Sequence, residues 1–185
     1  MAMIMNDWLP AIQGEFYFTI TVQGLSYHLA SRHHTIYPHG YTVKTAPGKN
    51  AIELGIEIIQ ELQKLEKELG QYVNHPLTEY GSTNINWSGF ESKGIFSAGA
   101  EKAKITGSML YDPSITQEQA IKYFKDAINR VVERDFWLKE HPPVVELPYL
   151  LSTKPPVNVD IEHPLCKQLA EATRAMGESY RDRDQ

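Results

Sequence analysis

Residues 16–23 read Phe16-Tyr17-Phe18-Thr19-Ile20-Thr21-Val22-Gln23, and this stretch decides the fold class. Apolar and polar side chains alternate from Phe18 onward, and aromatic and β-branched residues dominate, which is typical of a strand with one buried face. Gly24 ends the stretch. The side chains predicted to be buried are Phe16, Phe18, Ile20 and Val22. A strand of this kind needs a second layer that covers its apolar face.

The first predicted helix follows a long polar connection, residues 25–49, and lies between Asn50 and Gly70. Asn50 is a favoured N-cap residue, Glu53 stands at the capping-box position, and Gly70 is predicted to end the helix. Spacings of three and four predict a buried face made of Ile52, Ile56, Ile59, Leu62, Leu65 and Leu69. Leu54 and Ile58 fall beside this face, and we expect them to contact a second copy of the chain.

The remaining elements complete the order strand, helix, strand, strand, helix, strand. They are strands at 83–90, 102–111 and 144–147 and a helix at 116–134. Thr116 and Gln119 form a capping box at the start of the second helix. This order predicts an α+β, ferredoxin-like βαββαβ sandwich, in which a four-stranded antiparallel sheet carries two helices on one face. A further C-terminal helix from His163 has no place in that unit.

The predicted organisation has three parts. Residues 1–15 form a lead-in, which is either native or was added for expression, and residues 16–150 form the sandwich domain. Residues 151–185 form a Pro-containing linker and the C-terminal helix.

Composition excludes several classes of function. The net charge of −5 and the absence of a basic stripe argue against a nucleic-acid partner. No run of about 18 apolar residues is present, so we expect no membrane association. The single cysteine, Cys166, cannot form an internal disulfide, which favours a cytoplasmic location.

Patterns that carry catalytic chemistry are missing. The sequence has neither a Gly-x-Ser-x-Gly elbow nor a glycine-rich phosphate loop. Four histidines lie within twelve residues: His28, His33, His34 and His39. No cysteine and no His-Glu-x-x-His pattern accompanies them, so we expect no metal site in this chain. The chain alone is therefore predicted to be inactive.

Five motifs nevertheless occur in a specific order. They are Ile20-Thr21-Val22-Gln23-Gly24-Leu25-Ser26-Tyr27-His28, Gly48-Lys49-Asn50-Ala51-Ile52, Thr83-Asn84-Ile85-Asn86, Tyr111-Asp112-Pro113 and the segment from Arg134 to Pro143. In this order they resemble the lid, or dimerisation, domain of zinc amidohydrolases related to acetylornithine deacetylase, succinyl-diaminopimelate desuccinylase and aminoacylase. The resemblance covers residues 16–175 and implies the same βαββαβ fold.

The resemblance also implies a role for a few residues. In that family the lid is inserted into a larger catalytic domain that holds zinc or cobalt, so the cofactor belongs to an intact parent enzyme and the partners are that domain and a second subunit. His28 takes the position of the histidine that reaches across the dimer to the substrate and its oxyanion. Asn84 and Asn86 stand where substrate contacts are expected. Tyr111 and Asp112 replace the arginine of many relatives, so recognition of a substrate carboxylate is not implied.

Two other functions remain open on the sequence alone. One is a free-standing ferredoxin-like module that binds a small ligand or a protein. The other is an RNA-binding sheet, which needs exposed aromatic residues and a basic surround, and the acidic balance disfavours it.

Overall fold

The computed structural model describes residues 11–37, 40–147 and 154–175. The strands in this part are β1 (Ala11–Ile12), β2 (Gly14–Gln23), β3 (Asn84–Ser92), β4 (Lys102–Tyr111), β5 (Val144–Glu146) and β6 (Val157–Asn158). The helices are α1 (Arg32–Ile36), α2 (Ala51–Tyr72), α3 (Gln117–Val132), α4 (Phe136–Glu140) and α5 (Pro164–Ala175). Short 3₁₀ turns lie at Leu29–Ser31 and Val43–Thr45.

The main sheet has the order β3-β4-β2-β5, and every neighbouring pair is antiparallel. Ile20 of β2 lies opposite Ile105 of β4 and Val145 of β5. This is the strand order of a ferredoxin-like sandwich, so the predicted fold class is confirmed. The short β1 and β6 form a separate two-stranded ribbon outside the sheet.

The core lies between the sheet and the pair α2 and α3. Phe16, Phe18, Ile20 and Val22 are all buried, as the alternation predicts. The Phe18 and Phe124 rings approach to 4.7 Å between centroids, and Phe16 meets Phe124 edge-on at 5.5 Å. Burial of each such side chain stabilises the fold by about 1.5–3 kcal/mol.

The buried face of α2 differs from the predicted one. Leu54 and Ile58 are 3% and 0% exposed and belong to the core, whereas Ile52 and Ile56 are 37% and 42% exposed. The prediction that Leu54 and Ile58 contact a second subunit is therefore wrong. Apolar residues cover so much of this helix that periodicity alone allows either stripe to be buried.

Packing against the sheet selects the stripe. Gly55 lies over the sheet, and a Cβ added there would stand 3.0 Å from the Phe90 ring and 3.5 Å from Ile105 Cδ1. Because glycine has no side chain, α2 can pack closely on the sheet at this point, with the Gly55 side facing the core. Ile52 and Ile56 are thereby left exposed on α2, which borders β3 through Gly55 and Glu66.

The ends of α2 also differ in detail from expectation. Asn50 is the N-cap and accepts a hydrogen bond from Ile52 N at 3.0 Å, as predicted. Glu53 does not return to the cap but pairs with Arg32 of α1. The helix continues past Gly70 to Tyr72.

A buried carboxylate joins α2 to α3. Glu61 accepts a hydrogen bond from Arg130 Nε at 2.7 Å and also pairs with Arg134 and Lys64, at 3.1 and 3.3 Å. The hydrogen bond from Arg130 is the largest cause that lowers the pKa of Glu61, to about 2. The two helices are thus joined by charge as well as by apolar packing.

Candidate functional site

His28 lies just beyond β2, where three chain segments meet. We call residues 24–29, 48–51 and 97–101 together the His28 junction. Its backbone hydrogen bonds, all 2.7–2.9 Å, run from Gly24 N to Glu101 O, Leu25 N to Lys49 O, Lys49 N to Leu25 O, Ala51 N to Ala100 O, Gly99 N to Tyr27 O and Leu29 N to Ser97 O. The start of the long 25–49 connection is therefore tied on both sides.

Gly24 is required by close approach at this junction. A Cβ added there would stand 2.4 Å from Lys49 O and 2.7 Å from both Ala100 O and Ala51 N. These are backbone atoms that cannot move aside without breaking the junction. The glycine of the Gly-x-x-x-His motif is thus explained by the crossing of three backbones.

Tyr27 fills the centre of the junction. Its ring is buried against Gly48 and Gly99, and a Cβ added at either glycine would stand 2.3 Å from a ring carbon. The Tyr27 hydroxyl accepts a hydrogen bond from Arg32 Nη1 at 2.8 Å. The residue before His28 is therefore held by its ring, its hydroxyl and its carbonyl.

The His28 side chain is exposed and caps the Leu29–Ser31 turn. Its Nδ1 accepts a hydrogen bond from Ala30 N at 3.2 Å. An accepting Nδ1 assigns the proton of the neutral ring to Nε2. The site thus presents an imidazole N–H donor on a restrained backbone.

Exposed apolar residues lie in the chain segments next to this histidine. Leu29 follows it, and Ile95 and Phe96 lie in the β3–β4 connection whose Ala98 is bridged to His28. All three are more than half exposed. Imidazole and apolar surface therefore occur together at this end of the molecule.

The segment from Arg134 to Pro143 contacts the His28 junction and the end of β2. Asp135 caps α4 by accepting from Trp137 N and Leu138 N, and it pairs with Lys49 at 2.5 Å. Trp137 donates its indole N–H to Gln23 O at 2.9 Å. These contacts attach α4 to the end of β2, so the motif has a structural role.

A second carboxylate lies beside this ion pair. Burial is the largest cause that raises the pKa of Glu57, and the negative charge of Asp135 adds to it. The Lys49 ammonium also lies 4.7 Å from the centroid of the Phe136 ring. Lys49 is thus held by a carboxylate and by an aromatic face.

Asn84 and Asn86 lie at the other end of the sheet. Asn84 is opposite Leu110, which is opposite Glu15 at the start of β2, whereas His28 follows the end of β2. Eight strand residues at about 3.4 Å each separate the two levels by roughly 27 Å. Within one chain the structure does not bring the asparagines and His28 into one site.

Asn84 lines a shallow groove of about 390 Å³ beside the C-terminal end of α2. The other lining residues are Glu66, Lys67, Gly70, Gln71, Tyr80, Gly81 and Thr83. Thr83 is buried, and its hydroxyl has no hydrogen-bond partner within the described residues. Glu66 accepts a hydrogen bond from Ile85 N at 2.7 Å and so joins α2 to β3.

Asp112 organises the chain next to this groove. The fully buried carboxylate accepts hydrogen bonds from Ser82 Oγ, Thr78 Oγ1, Ser114 N and His75 N, at 2.6, 2.8, 2.8 and 3.1 Å. Burial raises the pKa of Asp112, but the hydrogen bonds from Ser114, Ser82 and Thr78 outweigh it and leave the pKa below its ordinary value. The Tyr111-Asp112-Pro113 corner therefore holds the connection between α2 and β3. Sequence reasoning missed this role.

Metal binding finds no support in residues 11–37, 40–147 and 154–175, where no three His, Cys, Asp or Glu side chains converge. The His33 and His34 rings lie 3.8 Å apart, and His34 Nδ1 is 3.3 Å from Tyr41 Oη. His39 lies outside the described residues. Within those same residues, no helix has the length and apolar character needed to cross a membrane.

Comparison with known proteins places these features in context. The sequence profile of the peptidase dimerisation domain family matches residues 39–135, which are 97 of the 185 residues. N-formyl-4-amino-5-aminomethyl-2-methylpyrimidine deformylase of Bacillus subtilis (strain 168) is 27% identical over 119 residues, 64% of this chain and 27% of the relative. The deformylase of the same name from Halalkalibacterium halodurans is 27% identical over 125 residues, 67% of this chain and 28% of the relative. The chain thus spans about a quarter of the length of these relatives.

Solved structures show the same fold. The aminopeptidase PepT of Bacillus cereus superposes with a TM-score of 0.61 at 13% identity, over 95% of this chain and 39% of that protein. A hydantoinase/carbamoylase family amidase of Burkholderia ambifaria gives a TM-score of 0.58 at 12% identity, over 94% of this chain and 35% of that protein.

Proposed function

Because this chain belongs to the peptidase dimerisation domain family of hydrolases, we propose that it is the lid and dimerisation domain of a metal-dependent amidohydrolase. Its partners are then a second copy of the chain and a catalytic domain. The observation that carries the proposal is an open strand edge beside an exposed apolar helix stripe.

The open edge belongs to β3. Within the described residues β3 pairs only with β4, so its outer edge is open to a further strand, although Ile85 N already donates to Glu66. The neighbouring α2 carries Ile52, Ile56 and Ile59 along one side at spacings of four and three. Ile52 and Ile56 are exposed, and so is Phe90 of β3, whose ring lies over Gly55 of the same helix.

Pairing about a two-fold axis satisfies both features at once. An antiparallel β3–β3 contact completes the ladder, and the same rotation brings the two α2 stripes together. A two-fold interface is self-complementary, so one apolar stripe on each copy suffices. We therefore expect a homodimer at micromolar concentration.

The oligomeric state tests the proposal. The double variant Ile52→Glu with Ile56→Glu should be monomeric in sedimentation at a concentration at which the unmodified chain is dimeric, and its far-UV circular dichroism should be unchanged. Tyr123→Glu on α3 is the matched control, since Tyr123 is comparably exposed on the other helix. A monomeric unmodified chain at about 100 μM, well above the micromolar affinity expected, would contradict the proposal.

The β1–β6 ribbon supports the proposed catalytic partner. Ala11 lies opposite Asn158, and Glu15 is bridged to Lys154, so the chain enters and leaves the sandwich side by side. This geometry suits a domain inserted into another domain. The length of the relatives, about four times the part that this chain matches, is consistent with it.

In the intact enzyme, we propose that His28 contacts the substrate bound in the active site of the partner subunit. A neutral imidazole with its proton on Nε2 donates a hydrogen bond to an oxygen on which negative charge develops. Asn84 and Asn86 are secondary candidates for substrate contact. We propose that zinc or cobalt is held by the catalytic domain, as the family resemblance implies; among the described residues of this chain no three His, Cys, Asp or Glu side chains converge.

The proposed substrate class is an amide, such as the N-acyl amino acid of an acetylornithine deacetylase-like enzyme. The chain alone is proposed to be inactive and cytoplasmic. Purified chain should release no acetate from N-acetylornithine with or without added zinc or cobalt. Turnover that scales with protein and survives repurification would contradict this part of the proposal.

The groove beside α2 favours a second candidate function, a module that binds a small ligand. Its lining combines a carboxylate, an ammonium group and an exposed tyrosine, from Glu66, Lys67 and Tyr80. Ligand-observed NMR with a library of amino acids and N-acyl amino acids tests it. Saturable binding that is lost in Asn84→Asp would favour this function.

A further inference from the structure

We propose that Tyr27 and Arg32 are positioning residues for His28. The Tyr27 ring, enclosed by Gly48 and Gly99, holds the backbone from which the imidazole projects, and Arg32 holds the Tyr27 hydroxyl. This inference rests on the proposed function, since that function is what gives His28 a substrate to contact.

The enclosure leaves no room for a larger residue. A Cβ added at Gly99 would stand 2.3 Å from Tyr27 Cε1, and one added at Gly48 would stand 2.3 Å from Tyr27 Cδ1. Gly48 also has φ of +153°, which disfavours other residues there. A side chain added at Gly99 therefore displaces the Tyr27 ring.

Displacement of Tyr27 is transmitted to His28 through the backbone. Gly99 N donates to the carbonyl of Tyr27, and Leu29 N donates to the carbonyl of Ser97. These bonds fix the peptides on both sides of His28 to the same short segment. The hydrogen bond from Ala30 N to His28 Nδ1 depends on that backbone.

Arg32 attaches Tyr27 to α2. One guanidinium nitrogen donates to the Tyr27 hydroxyl, and the other donates to Glu53 Oε1. Both Arg32 and Glu53 are partly exposed, and exposed ion pairs contribute little. We therefore expect Arg32 to contribute less to the restraint than the enclosed ring does.

The test uses NMR on the full 185-residue chain, with imidazole ¹⁵N spectra recorded above the titration range of histidine and with amide hydrogen exchange. Gly99→Ala should speed exchange of the Leu29 and Ala30 amides at least tenfold. It should also move the His28 ring signals toward those of unrestrained histidine. Gly94→Ala is the matched control in the same connection, because a Cβ there stands 3.9 Å from its nearest neighbour.

An internal reference separates positioning from general loosening. His163 Nδ1 also accepts a backbone hydrogen bond, from Leu165 N, and His163 lies in none of the three segments of the His28 junction. Its ring signals should stay unchanged in Gly99→Ala. If the His28 signals and the Leu29 and Ala30 exchange rates also stay unchanged, the proposal is wrong.

A second variant decides the matter if Gly99→Ala does not fold. Arg32→Met should speed exchange of the same two amides about threefold, whereas Lys122→Met, which removes an exposed ion pair with Asp126 on α3, should not. Equal rates in Arg32→Met and the unmodified chain would overturn the proposal. Dimerisation is measured separately by sedimentation, so failure of the proposed function is distinguished from failure of the positioning role.

Discussion

The two ends of the sheet are held in place by different means. At the His28 end, three backbone segments cross so closely that Gly24 admits no side chain, and backbone hydrogen bonds tie them. At the Asn84 end, the connection before β3 is held by one buried carboxylate, that of Asp112. A methyl group added at Gly24 should therefore destabilise the His28 end. Removal or protonation of the Asp112 carboxylate should destabilise the Asn84 end.

The largest expected effect is at the carboxylate. Asp112→Ala leaves the buried Ser82 hydroxyl and the half-buried Thr78 and His75 donors without their acceptor, which should lower the free energy of unfolding by about 3–5 kcal/mol. Urea unfolding monitored by circular dichroism measures it. Asp126→Ala, an exposed aspartate on α3, is the control and should change stability by about 0.5 kcal/mol or less. A loss below 1 kcal/mol for Asp112→Ala would show that the connection is held by other contacts.

Gly24→Ala at the opposite end should lower the free energy of unfolding by about 1–3 kcal/mol, because the added Cβ meets backbone oxygens that cannot rotate away. The same unfolding experiment measures the loss, with Gly94→Ala as the control. Equal stability of the two alanine variants would mean that the three-segment crossing is looser than its geometry indicates.

Acid should distinguish the two ends within one molecule. The pKa of Asp112 in the folded state lies below its ordinary value, so its ionisation stabilises the fold above that ordinary value, and this contribution is lost as the pH falls below it. Hydrogen-exchange protection of the His75 amide, which donates to Asp112 Oδ2, should therefore decrease in acid before that of the Leu25 and Gly99 amides, which donate to backbone carbonyls. Loss of exchange protection at the same pH at both ends would contradict the conclusion that only the Asn84 end depends on an ionised carboxylate.

The smallest expected effect concerns the asparagines themselves. Asn84 and Asn86 are exposed, so Asn84→Ala and Asn86→Ala should each change stability by about 0.5 kcal/mol or less. A loss above 1 kcal/mol would show that they have a structural role at this end, against their assignment as candidate substrate contacts.

Features that depend on neighbouring residues were predictable from the sequence. Alternation located β2 and its buried side chains, and the capping box of Thr116 and Gln119 is present as expected. Both signals act within a few residues, so no knowledge of packing is needed.

The candidate site was predictable only in part. The position of His28 came from a family resemblance, whereas the enclosure of Tyr27 involves Gly48 and Gly99, which are 21 and 72 residues away in the chain. Local patterns carry no information about contacts at such separations. The role of Asp112 as acceptor for three earlier residues was missed for the same reason.

The sequence by itself determined the order of elements, the buried face of β2 and the absence of recognisable catalytic motifs, because period and composition encode these locally. Only the tertiary structure decided which stripe of α2 is buried. Both stripes have helical spacing, and the choice depends on how closely Gly55 approaches Phe90 and Ile105. That choice leaves Ile52 and Ile56 exposed on the helix that borders β3, at whose outer edge the proposed second copy pairs.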